Sequence, residues 1–386
     1  MRIAIVGCGF VADYYMTTLV NHPALTLVGA HDRDPTALAR FTAFHQVPGF
    51  DSLDALLADS GAELVLNLTN PDSHYAVSRA ILERDLHVYS EKPLAMDLAQ
   101  AEELVSLATE KRLHLVAAPA SVLGEAAQTL GAALASGSIG DVKLVYAEME
   151  DGQVFRHDHR HWRSTSGAPW PAEDEFGVGC TLEHAGYYLT WACLFFGPVV
   201  QMTAASARLF DEKGTAQTPD ELAEDFSVAV LTFASGPVMR LTCGLAAPRD
   251  RSLHIVGTEG VLSLTDGWDA QSAIYQRDTD GGWASRLPIL PKIVRRLERG
   301  RPLRHWFGRR VPVPASKAIV PASSSRMDFM RGPAVMAAAI SAGRAPPMDT
   351  DFALHVTELA LVAQNAGRYT MPYRPRSSFK WMRPSR

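Results

Sequence analysis

An acid and a cation stand side by side at Glu91 and Lys92, just after the apolar run "HVYS" and just before Pro93. Proline fixes its own φ and biases the residue before it toward extended backbone, so Lys92 belongs to no ordinary helical face and its side chain is held in one direction. A lysine held beside a nicotinamide can stabilise an alkoxide or polarise a carbonyl, which is what hydride transfer between alcohol and ketone requires. A second constellation, "GCGFVA", contains Gly7, Gly9, Phe10, Val11 and Ala12 and directly follows an apolar run. It fits G-x-G-x-x-G/A, in which glycines allow a tight turn close to a pyrophosphate and the following helix offers free N–H groups. Asp32 ends the next apolar run at the distance expected for an acid that binds the adenosine ribose. It disfavours a 2'-phosphate, whereas Arg33 beside it can accept one, so NAD is expected, with NADP the alternative. Thr69, Asn70 and Pro71 follow a third run and lie at a strand's carboxyl end, where open α/β sheets bind ligands. With His74, Glu91 and Lys92 they complete the candidate cofactor contacts.

These residues need a frame, and the first 120 residues supply its pattern. Strand-like runs at 2–7, 25–32, 63–69, 86–90 and 113–119 alternate with segments whose apolar residues recur every three or four positions. That alternation predicts a parallel sheet with helices on both faces, a Rossmann domain over 1–120. From about 121 the runs are longer, β-rich and separated by Gly, Pro and Asp. They predict an α+β second domain over 121–386, built on a large, mostly antiparallel open sheet, with two late helices and a basic insertion at about 288–325. The chain has 386 residues, 47% of them hydrophobic, and a formal charge of -5, which gives no reason to expect nucleic acid as a partner. Four dispersed cysteines show no metal or disulfide spacing, and neither a signal peptide nor a membrane span is expected, so the expected setting is the cytoplasm.

Together "GCGFVA", "NPDSHYAVSRAILE" and "SEKPLAMDLAQAEEL" resemble the glucose-fructose oxidoreductase and inositol dehydrogenase family, Gfo/Idh/MocA. The resemblance implies that Lys92 is catalytic, hydrogen-bonds substrate, and precedes proline through a bond that is often cis. It also implies an aspartate and, four residues later, a histidine that exchanges the proton. Here "GVGCTLEHAGYYLTWACLFFGP", aligned on Gly179 and Gly197, puts Glu183 and Tyr187 at those places. Residues four apart share a helix face, so both can reach one substrate, and Lys92 is the cation expected to lower the tyrosine's pKa. His184 is the competing base, although it lies about 100° round the helix from Glu183.

The segment "DGQVFRHDHRHWRSTSGAPWPAEDEF" joins the domains. Its alternating His157, His159 and His161 lack the further ligands of a metal site, so no metal is expected. Trp162 and Arg163, with Trp170, look like a lid that offers a sugar a stacking platform and a charge. The basic stretch 292–310 is either a solvated or interface segment or a clamp for a phosphorylated substrate. The reading is an NAD(P)-dependent dehydrogenase or reductase acting on a sugar, cyclitol or nucleotide-sugar. It has two alternatives, a sensor that kept the fold without the chemistry and a redox-assisted glycoside hydrolase. A homodimer or homotetramer is expected by analogy.

Overall fold

The computed structural model describes residues 1–279, 308–322 and 325–381. Five short strands, β1 (Arg2–Val6), β2 (Thr26–His31), β3 (Leu64–Asn67), β4 (His87–Ser90) and β5 (Leu115–Ala117), form a parallel sheet in the order β2-β1-β3-β4-β5. β3 is buried at every residue and β1 at all but its first, as strands covered on both faces must be. The covering helices are α1 (Phe10–Leu19), α2 (Pro35–His45), α3 (Leu53–Asp59), α4 (Pro71–Glu83) and α5 (Leu98–Glu110). Their starts are written locally: Asp34, Ser52 and Asp97 cap α2, α3 and α5 with their side chains, and Pro35 and Pro71 stand in first turns. Strand order reverses between β1 and β3, so Gly7, Asp32, Thr69 and Lys92 follow strand ends along one crevice.

After α6 (Glu125–Ala135), a second sheet begins with β6 (Val142–Glu150). Helices α7 (Ala172–Val178) and α8 (Cys180–Phe196) follow, then β7 (Val199–Ala207), β8 (Phe226–Phe233), β9 (Val238–Gly244), β10 (Leu253–Gly257), β11 (Gly260–Leu264), β12 (Ile274–Asp278) and β13 (Arg309–Val311). The eight strands run β13-β12-β11-β10-β6-β9-β8-β7, and only the β6–β9 pair is parallel. The expected antiparallel sheet is therefore present, together with α6, a helix the sequence pattern did not announce. Of the basic stretch 292–310, residues 292–307 lie outside the described residues; Arg309 and Arg310 lie in β13.

Two late helices tie the layers together. Arg331–Ser341 packs on the first sheet, adding Met336 and Ala337 to the core formed by Ile3, Ile5 and Tyr15. Thr350–Gln364 lies between α5 and α8, and its last residue caps α8 across space: Gln364 Oε1 accepts from the N–H groups of Thr181 at 2.9 Å and Leu182 at 3.4 Å. Those N–H groups have no partner within the helix, and Glu183 is the next residue. Gln364→Ala is therefore expected to cost about 1–2 kcal/mol in urea denaturation. Gln364→Glu keeps the acceptor but replaces the Nε2 donor that serves the Glu224 carbonyl at 2.9 Å with a buried carboxylate oxygen, so it should not recover that loss.

Candidate active site

β1 turns into α1 through two glycines with different duties. Gly7 has φ +96°, and a Cβ on it would stand 2.6 Å from backbone atoms of Leu68 and Thr69, so the adjacent chain demands glycine there. A Cβ on Gly9 would meet nothing within 4 Å, so the turn opens onto free space at the positive end of α1. Ala12 is fully buried, which lets α1 lie close on the sheet. Asp32 accepts the N–H of Cys8 at 2.7 Å and of Asp34 at 2.8 Å, which fixes its carboxylate at the edge of the turn, while Arg33 is exposed. The Thr69 hydroxyl donates to Asn67 at 2.7 Å, and Asn70 precedes Pro71 at the start of α4. A dinucleotide fits this set: turn N–H groups and open space for a diphosphate, an anchored acid for a ribose, and Thr69 to Pro71 along the crevice.

Lys92 follows β4, and its peptide bond to Pro93 is cis. Its ammonium is paired with the carboxylate of Glu183 in the first turn of α8. Burial works against the ammonium, but the charge of Glu183, with a smaller contribution from Glu91, prevails and raises Lys92 above its ordinary range. Tyr187 lies one turn after Glu183, buried, with its ring 5.0 Å from Trp268. The structure thus brings Lys92, Glu183 and Tyr187 together, as the sequence predicts. The predicted lowering of the Tyr187 pKa is corrected: burial pushes the phenol well above its usual range, and the pull of Lys92 does not reverse this. Tyr187 is a phenol at neutral pH, suited to donate a proton.

His184 points elsewhere. Its Nε2 lies 3.3 Å from Asp151, Nδ1 is shut off from solvent without a partner among the described residues, and burial pushes the imidazole below its ordinary range against the pull of Asp151. Asp151 also receives Nε of Arg251 at 2.7 Å, and the Arg251 guanidinium lies 3.3 Å from the centre of the Trp268 ring. The group Asp151, His184, Arg251 and Trp268 therefore backs Tyr187. Only His184 was anticipated from sequence, since the others come from strand ends and a turn distant in the chain. Glu175 in α7 is also missed: burial and then the Glu183 charge push its carboxyl well above the usual range. The acid run "EDE" was its only sequence signal.

Three expected contacts, Glu91, His74 and Arg163, are engaged with other groups of the protein. Glu91 accepts the Tyr15 hydroxyl at 2.7 Å, which ties β4 to α1 instead of reaching a cofactor. His74 is buried against backbone carbonyls. Arg163 donates to the carbonyls of Arg160 and Trp162, so its charge is engaged within its own loop, while Trp162 is partly exposed and packs its ring 5.1 Å from Trp170. His159 is buried among these rings, and His157 and His161 are exposed. The lid does reach the first domain: the N–H of Ser166 donates to Asp13 at 2.9 Å. Burial alone would raise the Asp13 carboxyl, but its bonds to His45, Ser164 and Ser166 hold it down at about 2.

The two glycines give opposite expectations. Gly7→Ala should lower stability by about 1–3 kcal/mol in thermal denaturation, because positive φ and the Leu68 backbone both oppose a side chain. Gly9→Val should leave the melting temperature nearly unchanged and weaken dinucleotide binding by roughly tenfold or more in a fluorescence titration.

The described geometry agrees with the relationships of the chain. Residues 1–118 match the model of an oxidoreductase family with an NAD-binding Rossmann fold, and residues 127–263 match the GFO/IDH/MocA C-terminal domain. The bovine trans-1,2-dihydrobenzene-1,2-diol dehydrogenase is 24% identical over 271 residues, covering 69% of this chain and 74% of that protein. An oxidoreductase from Agrobacterium radiobacter, solved with NAD+, L-tartaric acid and magnesium, superposes with a TM-score of 0.72 at 18% identity over 95% of this chain and 96% of that one. The UDP-N-acetylglucosamine 3-dehydrogenase GnnA from Acidithiobacillus ferrooxidans superposes with a TM-score of 0.68 at 20% identity over 95% and 97% of the two chains. A Rossmann layer with a dinucleotide turn, a second open sheet and a match in both halves make this chain a member of the Gfo/Idh/MocA family of NAD-binding oxidoreductases.

Proposed function

We propose that the protein transfers hydride between a nicotinamide and a hydroxyl or keto carbon of a sugar, cyclitol or nucleotide-sugar. The observation that carries this reading is the Lys92–Glu183 pair, with Tyr187 one helical turn on, beside a crevice that fits a dinucleotide. The names of the relatives support the substrate class, since one is a diol dehydrogenase and one a nucleotide-sugar dehydrogenase. Asp32, anchored by two N–H groups beside an exposed Arg33, favours NAD.

When bound, the dinucleotide supplies or accepts the hydride. Glu183 fixes the direction of the Lys92 ammonium, which holds the negative charge that develops on the substrate oxygen. Tyr187 gives its proton to that oxygen in reduction and receives it in oxidation, with its ring held by Trp268. Trp162, exposed at the lid, offers the substrate an apolar face. Assembly through the open face of the second sheet into a homodimer or homotetramer is inferred from the fold alone. Among the described residues no helix is long and apolar enough to cross a membrane, and a cytoplasmic setting is the expectation.

The test is a panel of sugars, cyclitols and nucleotide-sugars scored by dinucleotide absorbance. Lys92→Ala is expected to lower kcat/KM on the active member by roughly 10²–10⁴-fold, and Tyr187→Phe by roughly 10²-fold. Activity unchanged in Lys92→Ala would contradict the proposal. Lys92 and Tyr187 are both raised, so both keep their protons through neutral pH. Ketone reduction should therefore stay level from about pH 7 to about pH 8 and fall in alkali, whereas alcohol oxidation, which must shed a proton, should rise with pH.

A further inference from the structure

His74 is buried in the first turn of α4, and its ring makes two contacts, Nδ1 to the carbonyl oxygen of Pro93 at 2.6 Å and Nε2 to that of Thr69 at 3.0 Å. Both oxygens only accept hydrogen bonds, and a neutral imidazole carries one N–H. The two contacts are favourable together only when the ring donates from both nitrogens. Pro93 is the residue whose carbonyl follows Lys92 directly, and Thr69 ends the loop after β3, so the ring spans the crevice floor between them. The rest of the turn is pinned as well: Asn67 Nδ2 donates to the His74 carbonyl at 3.0 Å and to Ser78 at 2.9 Å, and the N–H of Leu94 reaches Thr357 at 3.4 Å.

We infer that His74 is a positioning residue that sets the direction of Lys92 by tying the Pro93 carbonyl to that of Thr69, and that its two-bond form carries an added proton. Two charged groups bear on the ring, both from the segment after β4: Glu91 favours the cation and Lys92 opposes it. Asn67, Thr69 and Ser78 around it are neutral. Burial pushes the imidazole below its ordinary range, while the two carbonyls push back. Raising the pH through the His74 titration therefore removes one proton and one of the two bonds, and the Lys92 turn loosens. The role of Lys92 is that of the function proposed above; the bonding of His74 does not depend on it.

The experiment is nitrogen NMR of the full chain with ring-labelled histidine, titrated over the range in which the protein stays folded, with the His74 signals assigned by their loss in His74→Gln and His74→Phe. Both ring nitrogens are expected to be protonated at the acid end, with one proton lost as the pH rises. In turnover, His74→Gln, which keeps one donor, should lower kcat roughly 10-fold and His74→Phe roughly 100-fold, with the dinucleotide Kd changed less than about twofold. Should His74→Phe fail to fold, His74→Gln alone carries the turnover arm. A single protonated nitrogen across the whole folded range would overturn the inference without touching the proposed function, and so would wild-type kcat in His74→Gln. Loss of dinucleotide affinity with unchanged kcat would make His74 a cofactor contact instead and also overturn it.

Discussion

A cation and an anion meet largely out of water where the end of β4 meets the first turn of α8, and the site depends on that meeting. Desolvating Lys92 and Glu183 costs several kcal/mol per ion, and their attraction offsets it only if geometry is tightly held. Lys92 is held from the first domain by β4, Pro93 and the contacts around His74. Glu183 is held from the second by α8, whose N–H groups are capped by Gln364 of the late helix. Neither domain alone completes the pair, so the packing of α8 against helix Thr350–Gln364 and of that helix against α5 is part of the active-site geometry.

Around the pair, the two domains contribute different kinds of chemistry. The first presents backbone: glycine turns, helix starts and an acid fixed by N–H groups, which suit a charged and flat cofactor. The second presents side chains buried on α8 and at strand ends, among them Tyr187, His184, Arg251 and Trp268. Burial governs their protonation. It raises Tyr187 and Glu175 and lowers His184, so the phenol of Tyr187 keeps its proton at neutral pH.

The first sheet was legible because its signals are local. Gly7, Gly9, Asp32 and Lys92 each follow an apolar run within a few residues, and parallel strands place such ends side by side. Glu183 and Tyr187 were legible because spacing by four survives as one helix face. Asp151, Arg251 and Trp268 were not, since antiparallel pairing joins residues about 100 positions apart without leaving a spacing to read. Glu91 was misplaced for a related reason: adjacent residues after a strand point in different directions, so Lys92 faces the crevice while Glu91 turns inward to Tyr15. His74 has the residue type of a ligand contact, and only the fold shows that both its nitrogens are already engaged.

The central claim is that a dinucleotide binds the crevice and Lys92 acts on the substrate rather than on the dinucleotide. Thermal denaturation of wild type and Lys92→Ala, each titrated with NAD, NADH, NADP and NADPH after removal of any co-purified nucleotide, tests it directly. Wild type and Lys92→Ala should both gain roughly 2.7 kcal/mol at one shared concentration of the preferred dinucleotide, about 100 times its wild-type dissociation constant. Stabilisation of neither protein by any of the four would contradict it.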